Sequence, residues 1–270
     1  MLKTENLTIR FGGHVAVDHV SCEFAAGTLT AVVGPNGAGK TIYFNLISGQ
    51  LPASEGRVLL KGEDITRLAA PLRTRRGLGR AFQLTQLFPL LTVQENVRLA
   101  LQAKAADISF ASLIGSTWLS HKNLIAQAGE ILESVRLADK RDALAASLPH
   151  GDQRKLEVAI LMALDPLVYL FDEPTAGMSA DEAPVVLDLI RALKVRKDRA
   201  ILLVEHKMDV VSELADRIVV LHQGRLMADG EPAKVIASPV VQQAYLGLAP
   251  SAEDEAADDQ GAREKEETRA

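Results

Sequence analysis

The stretch Gly34-Pro35-Asn36-Gly37-Ala38-Gly39-Lys40-Thr41 fits the pattern G-x-x-x-x-G-K-[ST] in full, and it constrains the fold more than any other part of the chain. Before it runs Leu29-Thr30-Ala31-Val32-Val33, apolar and β-branched; after it Thr41-Ile42-Tyr43-Phe44-Asn45-Leu46-Ile47 continues apolar with no breaker. Strand, glycine-rich turn and helix follow in the order a phosphate cradle requires. The glycines let backbone N–H groups turn inward, the helix N-terminus adds positive dipole, Lys40 supplies a point charge and the Thr41 hydroxyl suits Mg²⁺. The predicted ligand is a nucleoside triphosphate with magnesium, its phosphates lined by Asn36, Gly37, Ala38, Gly39, Lys40, Thr41 and Ile42.

Two further acids fall where such a site needs them. Leu170-Phe171-Asp172-Glu173 sets a carboxylate pair at the C-terminal end of an apolar strand, the edge of an α/β sheet where ligands bind. Asp172 is expected to reach Mg²⁺, directly or through water. Glu173 is expected to polarise the attacking water, since hydrolysis of a γ-phosphate needs an oriented nucleophile more than covalent help.

The rest of the chain reads as a layered α/β protein. Leu2 to Phe11, Val15 to Phe24 and Arg57 to Ile65 are short alternating strands broken by Gly12-Gly13, Ala26-Gly27 and Gly62-Glu63-Asp64, which predicts an antiparallel layer beside the nucleotide core. Phe11 is open to two readings, an aromatic stacked on adenine or a strand-end residue in the core. From about 84 to 161 the apolar spacing is helical, notably over Val93 to Ala105 and Asn123 to Leu137, so a helical insert is expected there. Within it, Phe110, Leu113, Ile114, Trp118 and Leu119 form an apolar patch, read as core packing in preference to a partner surface. Leu167 to Phe171 and Ala200 to Val204 are continuous apolar runs typical of buried parallel strands, with an amphipathic helix over Asp181 to Lys197 between them.

Charge sorts the termini. Of the net charge of −5, the segment Ser251–Ala270 carries eight acids against three bases, so the body up to Pro250 is near neutral. No basic footprint for nucleic acid is present, and the tail, 249–270, reads as acidic and disordered. No run approaches the roughly 18 to 20 apolar residues needed to span a bilayer, and Met1–Glu5 does not read as a signal peptide; a soluble, cytoplasmic chain is expected. The one cysteine, Cys22, lies in a strand-like stretch and reads as a small buried hydrophobe.

Taken together with Gln83 after Arg80-Ala81-Phe82 and His206 after the next strand, these motifs resemble those of ABC transporter ATPase subunits, over about residues 1 to 248. Arg10-Phe11-Gly12-Gly13, Gly79-Arg80-Ala81-Phe82-Gln83, Ala176-Gly177-Met178, Glu205-His206-Lys207-Met208 and Ala244-Tyr245-Leu246-Gly247 are similar to the ATPases of bacterial branched-chain amino acid importers. The resemblance implies a P-loop NTPase fold with a RecA-like parallel-sheet core, an antiparallel β layer and a helical subdomain over about 84–161. It implies ATP and Mg²⁺ as ligands, Phe11 on adenine, Gln83 sensing magnesium and water, and His206 on the γ-phosphate. Thr41, Gln83 and Asp172 would attend the metal; Glu173, His206 and Gln83 would carry hydrolysis.

The family's helix-opening signature, usually L-S-G-G-Q, stands here as Leu148-Pro149-His150-Gly151-Asp152-Gln153, read as a modified signature ahead of a helix from Arg154 to Leu164. Through it Pro149, Gly151 and Asp152 would meet the nucleotide of an opposing subunit. Ile42 replaces a second hydroxyl, forfeiting one α-phosphate hydrogen bond worth on the order of 1 kcal/mol, and Ser179 replaces a common aspartate. The implied partners are a second ATPase subunit, identical or related, integral membrane permease subunits, and a solute-binding protein outside the membrane acting indirectly. The implied location is the cytoplasmic face of the plasma membrane. Neighbouring readings are lipopolysaccharide export and urea import; a nucleotide-binding regulatory subunit with weak hydrolysis is a reading of another class.

Overall fold

Alternation along the first strands turns one face inward and builds a four-stranded antiparallel sheet. The computed structural model describes residues 1–81, 87–106, 118–179 and 181–246. Strands β1 (Leu2–Phe11), β2 (His14–Phe24), β4 (Glu55–Leu60) and β5 (Glu63–Asp64) lie in the order β2-β1-β4-β5. The single strand expected over Arg57 to Ile65 is instead a tight hairpin. Lys61 and Gly62 both take positive φ (51° and 83°), the two-residue turn whose twist matches that of paired strands.

The second sheet has six strands in the order β10-β9-β3-β8-β7-β6. β3 (Leu29–Val33), β6 (Leu78–Ala81), β7 (Val168–Asp172), β8 (Ala200–Val204) and β9 (Arg217–His222) run parallel, and β10 (Arg225–Gly230) returns antiparallel at the edge. β3, β7 and β8 are buried at every position, as strands covered on both faces must be. Successive side chains divide between the faces. Val168, Leu170, Leu202 and Val204 join the core shared with Phe24, Tyr43 and Phe44, while Tyr169, Phe171, Ile201 and Leu203 join the one shared with the helices.

Nine α-helices connect these strands among the described residues. α1 (Lys40–Ser48) follows the phosphate loop, and α2 (Ala70–Arg75) precedes β6. Between β6 and β7 the chain leaves the sheet for α3 (Val93–Ala106), α4 (Trp118–Ser134) and α5 (His150–Leu164), which pack on one another around Val97, Leu132 and Leu156. α6 (Ala183–Leu193) joins β7 to β8; it is shorter than the expected Asp181 to Lys197, starting around Pro184, which suits a first helical turn. α7 (Met208–Leu214), α8 (Pro232–Ile236) and α9 (Pro239–Leu246) complete the chain. None of the described helices is long and apolar enough to cross a membrane. Phe110, Leu113 and Ile114 of the apolar patch, and the acidic tail, lie outside the described residues.

One buried charge joins α1 to its surroundings. Arg73 on α2 is 2% exposed, and its guanidinium donates to four carbonyls: Leu46 (2.6 Å) and Ile47 (2.7 Å) near the C-terminal end of α1, and Thr66 (2.6 Å) and Leu68 (2.9 Å) in the preceding turn. Carbonyls at a helix C-terminus lack intrahelical donors, and Arg73 supplies two of them.

Candidate active site

The phosphate loop leaves β3 and enters α1 through backbone that only glycine accommodates. At Gly34 (φ 154°) a Cβ would lie 2.1 Å from the Leu221 carbonyl oxygen of β9; at Gly39 (φ 95°), just before α1, it would lie 2.6 Å from the Ala16 carbonyl oxygen. A cavity of about 240 Å³ opens over the loop, lined by Asn36 to Ile42 together with Glu173 and His206. Lys40 is buried and donates to the Gly34 (2.6 Å) and Pro35 (3.0 Å) carbonyls. Burial holds its ammonium below the ordinary lysine range, against the opposing pull of the Glu173 and Asp172 carboxylates.

Asp172 ends β7 with its side chain fully buried. Arg80 of neighbouring β6 reaches its Oδ2 at 2.7 Å, and the same guanidinium donates to Asn45 Oδ1 (2.7 Å) and Ser48 Oγ (2.9 Å) on α1. One arginine thus ties the acidic strand end to the helix behind the phosphate loop. Burial pushes the Asp172 carboxyl above the ordinary aspartate range, the Arg80 charge working the other way. Its Oδ1 is buried with no hydrogen-bond partner.

Glu173 follows in a left-handed backbone conformation, φ 51°, which costs a non-glycine residue of the order of 1–3 kcal/mol. Its N–H is held by the Val204 carbonyl at 3.0 Å, so the strained residue is fixed against the end of β8. There His206 Nε2 meets Glu173 Oε1 at 2.7 Å. Sequence-distant acid and imidazole are brought together because β7 and β8 are adjacent and end in register, Asp172 opposite Val204.

The other expected site residues are placed as follows. Phe11, at the end of β1, is 48% exposed, so its reading as a core residue fails. Gln83 lies outside the described residues. Pro149 is the residue before α5, φ −55° and ψ 155°, and the helix begins at His150 instead of Arg154. The reason is local: proline is preset for a helix start, and Gln153 N–H closes the first turn onto the Pro149 carbonyl at 3.0 Å. Gly151 and Asp152 therefore lie inside the first helical turn and are buried. Asp152 is held by Lys140 and, at 2.8 Å, by Lys155, while a Cβ on Gly151 would lie 2.3 Å from Glu182 Oε1. These three do not line the phosphate-loop cavity.

Sequence reasoning missed the buried roles of Arg73 and Arg80, because an arginine's charge reads as surface until its partners are known. Arg80 was within a recognised motif, yet nothing local signals its bond to Asp172. Glu205 and Thr175 were likewise passed over; a glutamate directly after an apolar strand was the available signal.

The donor set fits a magnesium ion held largely by nucleotide and water: one hydroxyl at Thr41, one partnerless carboxylate oxygen at Asp172, and no cluster of three metal-ligating side chains among the described residues. Mg²⁺ is usually bound in this way, through one or two protein oxygens plus substrate phosphates.

A phosphate loop on a parallel sheet, a carboxylate pair at the next strand end and a helical unit inserted between β6 and β7 define an ATP-binding cassette. The chain belongs to the ABC transporter family, whose sequence profile matches residues 17–176. It is 34% identical over 251 residues to the high-affinity branched-chain amino acid transport ATP-binding protein LivG of Escherichia coli K12, covering 92% of this chain and 98% of that one. It is 35% identical over 252 residues to the corresponding protein BraF of Pseudomonas aeruginosa, with the same coverage. Among solved structures it resembles the ADP conformation of MJ1267, an ATP-binding cassette of an ABC transporter, at TM-score 0.77 and 30% identity over 92% of this chain and 99% of that one. The expected P-loop fold of an ABC ATPase is thus the one observed, and cassettes of this family hydrolyse ATP to power transport.

Proposed function

We propose that this chain is the ATP-hydrolysing subunit of an importer for branched-chain or related amino acids, lying peripherally on the cytoplasmic face of the membrane. The observation that carries the hydrolytic reading is the convergence of Lys40, Glu173 and His206 on one cavity over the phosphate loop. The substrate class rests on relatives named as branched-chain amino acid transport proteins that match nearly the whole chain.

In this reading the loop N–H groups and Lys40 hold the β- and γ-phosphates, and Phe11 stacks on adenine. Thr41, Asp172 and Gln83 hold Mg²⁺, which when bound neutralises charge developing on the phosphates. Glu173 accepts a hydrogen bond from the attacking water and orients it in line with the γ-phosphate. His206 leaves Glu173 to contact the γ-phosphate, so the 2.7 Å pair is exchanged for two substrate contacts. Pro149, Gly151 and Asp152 at the start of α5 face the nucleotide of a second cassette in a head-to-tail dimer. ATP then favours the closed dimer and hydrolysis releases it, a population shift passed to permease subunits. Phe88 (58% exposed) and Leu90 (82% exposed) offer an apolar docking edge for a permease helix. Asn96, 1% exposed, stiffens that edge by bonding Phe88 N–H (2.9 Å) and the Phe88 (3.1 Å) and Thr92 (2.9 Å) carbonyls.

The test is Glu173→Gln. Turnover is expected to vanish while ATP still binds, and sizing is expected to find an ATP-trapped dimer. Wild-type turnover in that variant would sink the assignment.

A further inference from the structure

The loops after β7 and β8 are joined at three points. Glu173 N–H bonds the Val204 carbonyl (3.0 Å), the Glu173 carboxylate meets His206 (2.7 Å), and a third contact lies behind them. There Thr175 Oγ1 donates to Glu205 Oε1 at 2.5 Å, and the other oxygen of Glu205, Oε2, accepts the His206 N–H at 3.1 Å. Thr175 is 5% and Glu205 4% exposed. The result is a closed ring: Glu173, Pro174, Thr175, Glu205, His206 and back to Glu173.

Glu205 is costly where it stands. A buried carboxylate ordinarily pairs with a cation, and among the described residues no ion pair to Glu205 is formed; its two bonds are to a hydroxyl and a backbone amide. Both bonds serve one purpose, to fix the turn carrying Glu173 against the backbone of His206. A carboxylate suits this because each oxygen accepts separately. Glutamine could keep both contacts by reversing one of them, its NH₂ donating to a Thr175 hydroxyl that then accepts, whereas methionine has neither oxygen at similar volume.

We propose that Thr175 and Glu205 are positioning residues for hydrolysis: their bond sets the distance between Glu173 and His206, and so the geometry in which water and γ-phosphate meet. This rests on the roles given above to Glu173 and His206. Misplacement by about 1 Å can cost about a hundredfold in rate, and loss of one of three cross-links is expected to cost about tenfold in kcat.

Steady-state hydrolysis, ATP affinity and melting are measured on the full chain for Glu205→Met, Thr175→Val and Thr175→Ser, beside Glu173→Gln and His206→Ala. Glu205→Met and Thr175→Val are expected to lower kcat about tenfold with ATP affinity within about twofold of wild type, and Thr175→Ser to restore it. In a His206→Ala background Thr175→Val is expected to have no further effect on kcat, since the partner it positions is gone. Independently of turnover, the ¹⁵N imidazole resonances of His206, assigned by their loss in His206→Ala, are expected to shift in both variants. Wild-type kcat and unshifted resonances in a folded Glu205→Met or Thr175→Val would overturn the proposal. So would an equal loss with and without His206. Should Glu205→Met fail to fold, the threonine variants decide alone. Undiminished turnover in Glu173→Gln would instead remove the underlying site assignment, which separates the two failures.

Discussion

Replacing Arg73 by methionine keeps most of the apolar stem and deletes the guanidinium that serves four carbonyls. Hydrogen bonds from a charged donor contribute about 1.5–3 kcal/mol each, so four would sum to about 6–12 kcal/mol. Against this stands the cost of desolvating the guanidinium, several kcal/mol, which the substitution recovers. The Leu46 carbonyl also keeps the Gly49 N–H at 3.3 Å, so it is not left wholly bare. The balance is a loss of about 2–4 kcal/mol, which for a chain of this size lowers Tm by about 5 to 15 °C. Urea and thermal denaturation, followed by circular dichroism, measure it. A second substitution makes the reasoning sharper: a Cβ at Gly49 would lie 2.7 Å from Arg73 Nε, so part of the cost of Gly49→Ala comes from displacing that side chain. That cost is expected to shrink in the Arg73→Met background, a non-additivity that distant sites do not show. A loss below about 1 kcal/mol for Arg73→Met, or strict additivity with Gly49→Ala, would refute the claim that this arginine caps the phosphate-loop helix.

Other expectations follow from single residues. Ile42→Thr is expected to tighten ATP binding about fivefold by restoring a hydroxyl worth on the order of 1 kcal/mol; an unchanged titration curve would show that the side chain does not face the α-phosphate. Cys22 is 5% exposed, and burial pushes its thiol up to about 11, so thiol reagents are expected to modify it only in denaturant. Rapid labelling of the native chain would contradict that. For Asp152, burial pushes the carboxyl up but its bonds to Lys140 and Lys155 outweigh this, leaving it below the ordinary value of 3.8. A carboxylate depressed in the folded state contributes stability above its unfolded pKa and loses it as pH falls through the folded one. The urea midpoints of wild type and Asp152→Asn are therefore expected to differ at neutral pH and to converge below 3.8. A gap that is constant with pH would show that the charge is not what Asp152 contributes.

What could be read from the sequence was whatever one short window determines. The phosphate loop and Asp172-Glu173 carry their meaning locally, and β3, β7 and β8 announce themselves as unbroken apolar runs because both their faces are covered. β6 and β10 do not. Leu78–Ala81 contains a glycine and an arginine and is a strand only because β7 pairs with it, and β10 shows no clean alternation. The β9–β10 hairpin turns at Gln223-Gly224, both at positive φ, without the Asn-Gly or Asp-Gly pair that would have marked it. Burial of Arg73, Arg80 and Glu205 was beyond reach for the same reason: each has at least one partner on a distant element, and a charge in sequence carries no sign of that partner.

The placement of the helical unit has a mechanical consequence. Its chain departs from the end of β6 and comes back into β7, two strands that lie side by side. Because the two strands run parallel, the chain leaves at the edge where Ala81 lies opposite Phe171 and returns at the other edge, where Val168 lies opposite Leu78; Arg80–Asp172, at 2.7 Å, ties the strands at the departure edge. A twist or pull applied at the far end of α3 to α5 is therefore shared, because α5 packs on β6 and on α6 and its apolar face joins the core beneath β7 and β8. The lever thus bears directly on β6, the strand whose Arg80 holds Asp172, and the rest of its load is spread over the back of the sheet.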